Sequence, residues 1–128
     1  MREILFRGKR TDDGEWMCGN LTIWSDKTAS IDKEPTEASP LYAVIPETVG
    51  QYTGLTVPSG KIFEHDIVTA KFKSNGARFN FTVKYSNEKG CYVFDNGRIK
   101  VPFCDIRSVR IIGNIHDNPE LLKGERHD

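Results

Sequence analysis

The chain has 128 residues, of which 38% are hydrophobic and 28% charged. That length fits one domain of roughly 100–200 residues and is enough to bury a core without metals or disulfides. The composition excludes a membrane-embedded chain and a disordered tail. Eighteen Lys and Arg balance eighteen Asp and Glu, so wholesale attraction to nucleic acid or lipid, which needs a basic excess, is not expected.

The start Met1-Arg2-Glu3 runs into a short alternating stretch with no apolar run behind a basic segment, which argues against a secretory signal. No apolar run approaches the ~20 residues that span a bilayer. A cytoplasmic protein without membrane contact is expected. Cys18, Cys91 and Cys104 are odd in number and lack C-x-x-C spacing, so they read as reduced thiols filling core space. The triplets at Asn20 and Asn80 match a glycosylation site only by chance in such a protein.

In chain order, Ile4 and Phe6 alternate with Glu3, Leu5 and Arg7, Thr11-Asp12-Asp13-Gly14 forms a turn, and Trp16 to Cys18 returns as the partner strand. Leu21 to Trp24 and Ala29 to Asp32 flank a second turn. Residues 33–40, with two prolines and two glutamates, read as an exposed loop. Leu41 to Ile45 is a strand that Pro46 stops.

The second half carries five strand candidates, at residues 67–73, 77–85, 91–94, 98–103 and 108–115. Asn75-Gly76 and Asn96-Gly97 predict type I′ hairpin turns, which need φ > 0 at both central residues. Short strands joined by tight turns predict a curved antiparallel meander, best solved as an SH3-like partly open barrel. Asn118, Pro119 and Glu120 begin a short C-terminal helix that Leu121 and Leu122 dock and Gly124 stops, with residues 125–128 fraying. The expected fold is a single mostly-β domain, with N-terminal hairpins (1–50) packed on an SH3-like antiparallel meander and helix (51–124).

The neutral total hides an asymmetry. Residues 11–50 hold eight acids and two bases, a net −6; residues 71–110 hold nine bases and three acids, a net +6. The basic segment includes Lys71, Lys73, Lys84, Arg98 and Lys100, a candidate nucleic-acid face. Base stacking needs aromatics beside the cations on one exposed face. Here Phe79, Phe81, Val83 and Tyr85 alternate with Asn80, Thr82 and Lys84, while Ile99, Val101 and Phe103 alternate with Arg98 and Lys100. That pattern favours a dry aromatic face and a wet basic one.

Catalytic patterns fail on spacing. Gly54 to Lys61 places five residues between its glycines and Ile62 after the lysine, against four residues and Ser or Thr in a phosphate loop. His65-Asp66, His116-Asp117 and His127-Asp128 are dipeptides whose members point to opposite faces of a strand, so no metal site and no cofactor is expected. Glu64 and Asp66 suit turn chemistry better than acid–base work. Trp16 and Trp24 read as core anchors.

Three stretches together resemble the YopX family of phage and prophage proteins. They are Arg2-Glu3-Ile4-Leu5-Phe6-Arg7, then Gln51-Tyr52-Thr53-Gly54-Leu55 with Gly60-Lys61-Ile62-Phe63-Glu64-His65-Asp66-Ile67-Val68, then Ile112-Gly113-Asn114-Ile115-His116-Asp117-Asn118-Pro119-Glu120-Leu121-Leu122. The family pattern is similar to R-E-I-x-F-R, Q-Y-T-G-L, I-[YF]-E-G-D-I-V and I-G-N-I-x-x-N-P-E-L-L. His65 stands where the family usually has glycine, which implies a positive-φ turn there.

The resemblance implies a mostly-β fold, a phage or prophage origin and no established catalytic activity. Tyr52, Gly54, Gly60, Glu64, Asp66, Gly113, Asn118 and Pro119 then read as architectural motif residues. The expected function is a non-enzymatic, homo-oligomeric binding module with an unidentified protein partner; the alternative is a nucleic-acid-binding barrel.

Overall fold

The computed structural model describes residues 3–33 and 40–125. The loop read at 33–40 falls largely outside them, as do Arg2 of the first motif, His127-Asp128 and the end read as frayed. Among the described residues eleven strands run β1 (Phe6–Lys9), β2 (Trp16–Ile23), β3 (Ala29–Asp32), β4 (Tyr42–Val44), β5 (Gly50–Val57), β6 (Gly60–Phe63), β7 (Asp66–Phe72), β8 (Arg78–Ser86), β9 (Cys91–Asp95), β10 (Lys100–Val101) and β11 (Ile106–Asn114). Among the described residues three short 3-10 helices cover Pro46–Thr48, Phe103–Asp105 and Pro119–Glu125. The mostly-β class is as expected. No helix among the described residues is long and apolar enough to cross a membrane.

The chain divides into two compact units, Met1–Gly54 and Leu55–Asp128. In the first, β4, β3, β2 and β1 pair in that order, and the start of β5 adds to β1. A bridge between Arg10 and Val44 brings the end of β1 back to β4. Met17, Ala29, Ile31 and Val44 form the core, with Leu21, Tyr42 and Val49 against it. At Gly8 an added Cβ would stand 3.1 Å from Val44 Cβ, so the missing side chain lets β1 approach β4.

Alternation predicts two separate strands over residues 16–24; the structure joins them into one eight-residue β2. Gly19 permits this, because a Cβ there would strike the Asp32 carbonyl of β3. Neither tryptophan anchors the core. Trp16 is half-buried beneath the Arg7 guanidinium, 4.8 Å from its ring centre. Trp24 is exposed and donates Nε1–H to Ser30 Oγ at 3.0 Å. All three cysteines are exposed, so none fills the core.

In the second unit the sheet order is β10-β9-β8-β7-β11. Ile62, Val68, Ala70, Phe81, Val83, Phe94, Val101 and Ile106 form its core. The 54–61 segment, which fails as a phosphate loop on spacing, is mostly strand: β5 and β6 are neighbours, with only Pro58-Ser59 turning between them. The strand read at 98–103 shrinks to two residues, because Pro102 lacks an N–H for the ladder and a 3-10 turn follows. Tyr85 and Ile99 lie beyond the core and are exposed at 46% and 50%.

The expected type I′ turns are absent. Gly76 and Gly97 have positive φ, whereas Asn75 and Asn96 do not. Each asparagine instead accepts backbone N–H groups through Oδ1, from Ala77 at 2.9 Å and from Arg98 and Ile99 at 2.9 Å. These Asx turns sit in loops of five residues (73–77) and four residues (96–99), in which only the glycine is left-handed.

His65 does take the predicted left-handed conformation, φ 75. An imidazole-bearing residue pays a Cβ penalty there that glycine avoids. His65 Nδ1 is also buried without a hydrogen-bond partner among the described residues. His65→Gly should therefore raise unfolding stability by about 1 kcal/mol. His65→Ala, which keeps the Cβ, should give no such gain; urea titration of both variants checks this.

Candidate functional site

The architectural residues are set by backbone chemistry. Tyr52 is buried and its N–H meets the Leu5 carbonyl at 2.8 Å. Gly54 (φ 89) and Gly60 (φ 136) occupy conformations that favour glycine. Glu64 sits in the β6–β7 turn, half-buried. Asp66, 2% exposed, accepts the Phe63 N–H at 2.8 Å and so closes that turn.

The third motif is one hydrogen-bonded knot. Asn114 Oδ1 accepts the N–H groups of His116 and Asp117 at 3.0 and 2.9 Å. Asn118 Oδ1 accepts the Asn114 N–H at 3.3 Å, and its own N–H reaches the Asn114 carbonyl at 2.8 Å. Asn118 thus ties the end of β11 to the 3-10 helix that starts at Pro119, and that helix presents the Leu121 carbonyl to Asn80 Nδ2 at 3.1 Å. The expected short helix is present as a 3-10 helix, which runs past Gly124 to Glu125.

A Cβ on Gly113 would lie 2.6 Å from Asn118 Oδ1. Gly113→Ala is expected to cost about 2–3 kcal/mol by displacing that side chain. The cost should shrink sharply in an Asn118→Gly background, a double-mutant cycle read by denaturant unfolding.

The nominated cations separate into two groups. Lys84 Nζ pairs with Asp95 Oδ2 at 3.2 Å, and Lys100 stands directly opposite Asp95 on β10. Arg98 lies in the β9–β10 loop and is exposed. Lys71 and Lys73 belong to the opposite end of the sheet. Lys73 follows β7, its N–H bonded to the Asp105 carbonyl at 3.0 Å.

Lys71 has companions that sequence reasoning left out of the candidate face. It is directly opposite Arg78 on β8 and directly opposite Arg107 on β11. Directly opposed residues share a sheet face, so Arg78, Lys71 and Arg107 form one row across three strands. Arg110 stands one row on, opposite Thr69. Arg78 Nη1 donates to Thr69 Oγ1 at 3.2 Å, which turns its guanidinium toward the next row, where Arg110 stands. No carboxylate pairs with Lys71, Arg78, Arg107 or Arg110 among the described residues. Like charges placed directly opposite destabilise a sheet, so the row has a cost to the free protein.

The other face of these strands is dry. Phe72, Phe79 and Phe81 meet edge to face, with ring centres 5.5 and 5.6 Å apart. Asp12, Asp13 and Asp26 of the first unit are engaged locally. Arg10 Nη2 meets Asp12 Oδ2 at 2.7 Å and Arg10 Nη1 meets Asp13 Oδ2 at 3.5 Å. The hydrogen bond from Arg10 holds the Asp12 carboxyl below its ordinary range, and that from Thr28 does the same for Asp26.

Tertiary folding brings two of the His-Asp dipeptides together: the His65 and His116 rings meet edge to face at 5.5 Å. No group of three or more His, Cys, Asp or Glu side chains among the described residues is arranged to hold a metal.

These features define an all-β protein of two compact units with a basic sheet face opposite an aromatic core. The chain belongs to the YopX family: the family described as "YopX protein" matches residues 5–123. Among solved structures it is similar to protein EF1440 from Enterococcus faecalis, at 26% identity and a TM-score of 0.57, over 96% of this chain and 100% of that one. A comparison with curated proteins finds no match.

Proposed function

We propose that this YopX-family protein acts by binding rather than by catalysis, and that its ligand is the phosphate backbone of a nucleic acid. The Arg78–Lys71–Arg107 row carries the proposal. Three cations held side by side, with no carboxylate paired to them among the described residues, cost the free protein stability, and a line of phosphates would relieve that repulsion. Arginine adds forked N–H donors suited to phosphate oxygens. In this view the protein is a phage- or prophage-encoded accessory factor working in the cytoplasm of its host, on a partly open, SH3-like sheet.

The experiment is fluorescence anisotropy with a labelled 20-mer single strand and with the corresponding duplex, repeated across salt concentrations. Three phosphate contacts predict a log–log salt slope of about −2 on the single strand. No binding of either form at low salt would overturn the proposal.

The net −6 and net +6 segments favour a second reading, in which the basic row of one copy receives acids from another. Arg10 already engages Asp12 and Asp13, which weakens it. Dissociation of an oligomer in high salt, followed by sedimentation, would support that reading; a monomer at all salt concentrations would sink it.

A further inference from the structure

The sheet face that carries the Arg78–Lys71–Arg107 row is two rows deep. Thr69 is directly opposite both Asn80 on β8 and Arg110 on β11, so Asn80, Thr69 and Arg110 make the second row. Lys71 and Thr69 are two apart on β7 and share a face. Arg107 and Arg110 are three apart, and strict alternation would set them on opposite faces. A bulge in β11 prevents this: the step from Arg107 to Arg110 takes three residues where β7 takes two, from Lys71 to Thr69. Ser108 within the bulge holds φ 55, a left-handed conformation unfavourable for a residue with a Cβ. The extra residue returns Arg110 to the face of Arg107 and lets Val109 and Ile111 still pack against the core.

Beyond the second row this face is covered. Asn80 Nδ2 donates to the Leu121 carbonyl of the C-terminal 3-10 helix, and Ile67 and Thr82, the next residues on the face, are buried. What remains open is a compact array of four cations, with Arg78, Arg107 and Arg110 exposed and Lys71 half-buried between them. The side chains interleaved with them are Thr69 and Asn80, while Phe72, Phe79 and Phe81 pack on the core side. A single strand draws much of its affinity from bases stacked on aromatic rings beside the cations. The rings of these strands lie on the wrong side of the sheet for that.

We propose that the ligand of this array is a nucleic-acid duplex, held through phosphates of both strands and without regard to sequence; the inference rests on the phosphate-binding function proposed above. Neighbouring strands of a sheet stand ~4.8 Å apart, so the row of three covers ~10 Å, and the second row lies ~7 Å from the first. The minor groove of a B-form duplex is about 6 Å wide, so the array reaches phosphates on both of its banks. Bases inside a duplex are already stacked on one another and need no aromatic surface. Contacts to phosphates alone fix position and carry no sequence information.

The test is fluorescence anisotropy with a labelled DNA duplex, a second duplex of the same composition in scrambled order, and each separated single strand. Four phosphate contacts predict a log–log salt slope of about −3.6 on the duplex, and affinity at low salt at least about tenfold above that of either strand. The scrambled duplex should bind within about twofold of the first. Arg110→Gln should make the duplex slope shallower by about 1, whereas Lys89→Gln, an equal loss of charge in the loop after β8, should leave it nearly unchanged. A single strand that binds as tightly as the duplex, or an Arg110→Gln slope equal to that of the wild type, would overturn the duplex assignment and spare the phosphate row. Absence of binding to every oligonucleotide would overturn both.

Discussion

Gly19→Ala is expected to lower stability by about 3 kcal/mol or more. The new Cβ would meet the Asp32 carbonyl oxygen, its carbon at 2.8 Å and Ile31 Cγ2 at 3.1 Å. Two of those atoms are backbone, so no rotamer change relieves the contact; β3 must move away from β2. That movement disrupts the pairing of Asn20 with Asp32 and of Leu21 with Ile31, and Ile31 is fully buried in the first unit's core. Both tryptophans lie in this unit, at Trp16 and Trp24, so tryptophan fluorescence in a denaturant titration reads the loss where it arises. Asn20→Ala, an exposed neighbour, should shift the midpoint little. An unchanged midpoint for Gly19→Ala would mean that β2 and β3 do not approach as closely as described.

Lys71→Glu should separate stability from binding. Lys71 stands between Arg78 and Arg107, so the substitution replaces two like-charge pairs with two opposite-charge pairs. Each such cross-strand pair is worth roughly 0.2–1 kcal/mol, so the free protein should become more stable by about 0.5–1 kcal/mol. Nucleic-acid affinity should fall on the order of 10- to 100-fold at low salt, with a visibly shallower salt slope. The introduced carboxylate also competes with phosphate for both arginines. Lys84→Glu places two carboxylates together, since Lys84 pairs with Asp95. It should destabilise the fold and leave the row's affinity nearly intact. A Lys71→Glu protein that is both less stable and equally able to bind would reverse the role assigned to the row.

Much of the architecture was legible in local patterns. Alternation placed β3, β4, β7, β8, β9 and β11 to within a few residues, because a strand's two-residue period needs no knowledge of its partner. The positive φ at His65 followed from the family motif and the rarity of non-glycine residues in that conformation. Other features depended on neighbours far along the chain. Gly19 falls between two stretches read as separate strands, and only the nearby carbonyl of Asp32 on β3 shows why a glycine stands inside the single strand. Arg107 gave no sign in the sequence that it stands beside Lys71, because alternation assigns a face but not a partner.

The sequence by itself determined the class of fold, most strands, the dry side of the aromatic meander and the family. Tertiary structure alone decided the registers that align Arg78 with Lys71 and Arg107, remove Lys84 to Asp95, and bring His65 to His116. The physical reason is range. Side-chain alternation and turn chemistry act within a few residues, whereas register is chosen by the packing of whole strands, where a slip of one residue would turn every side chain to the wrong face.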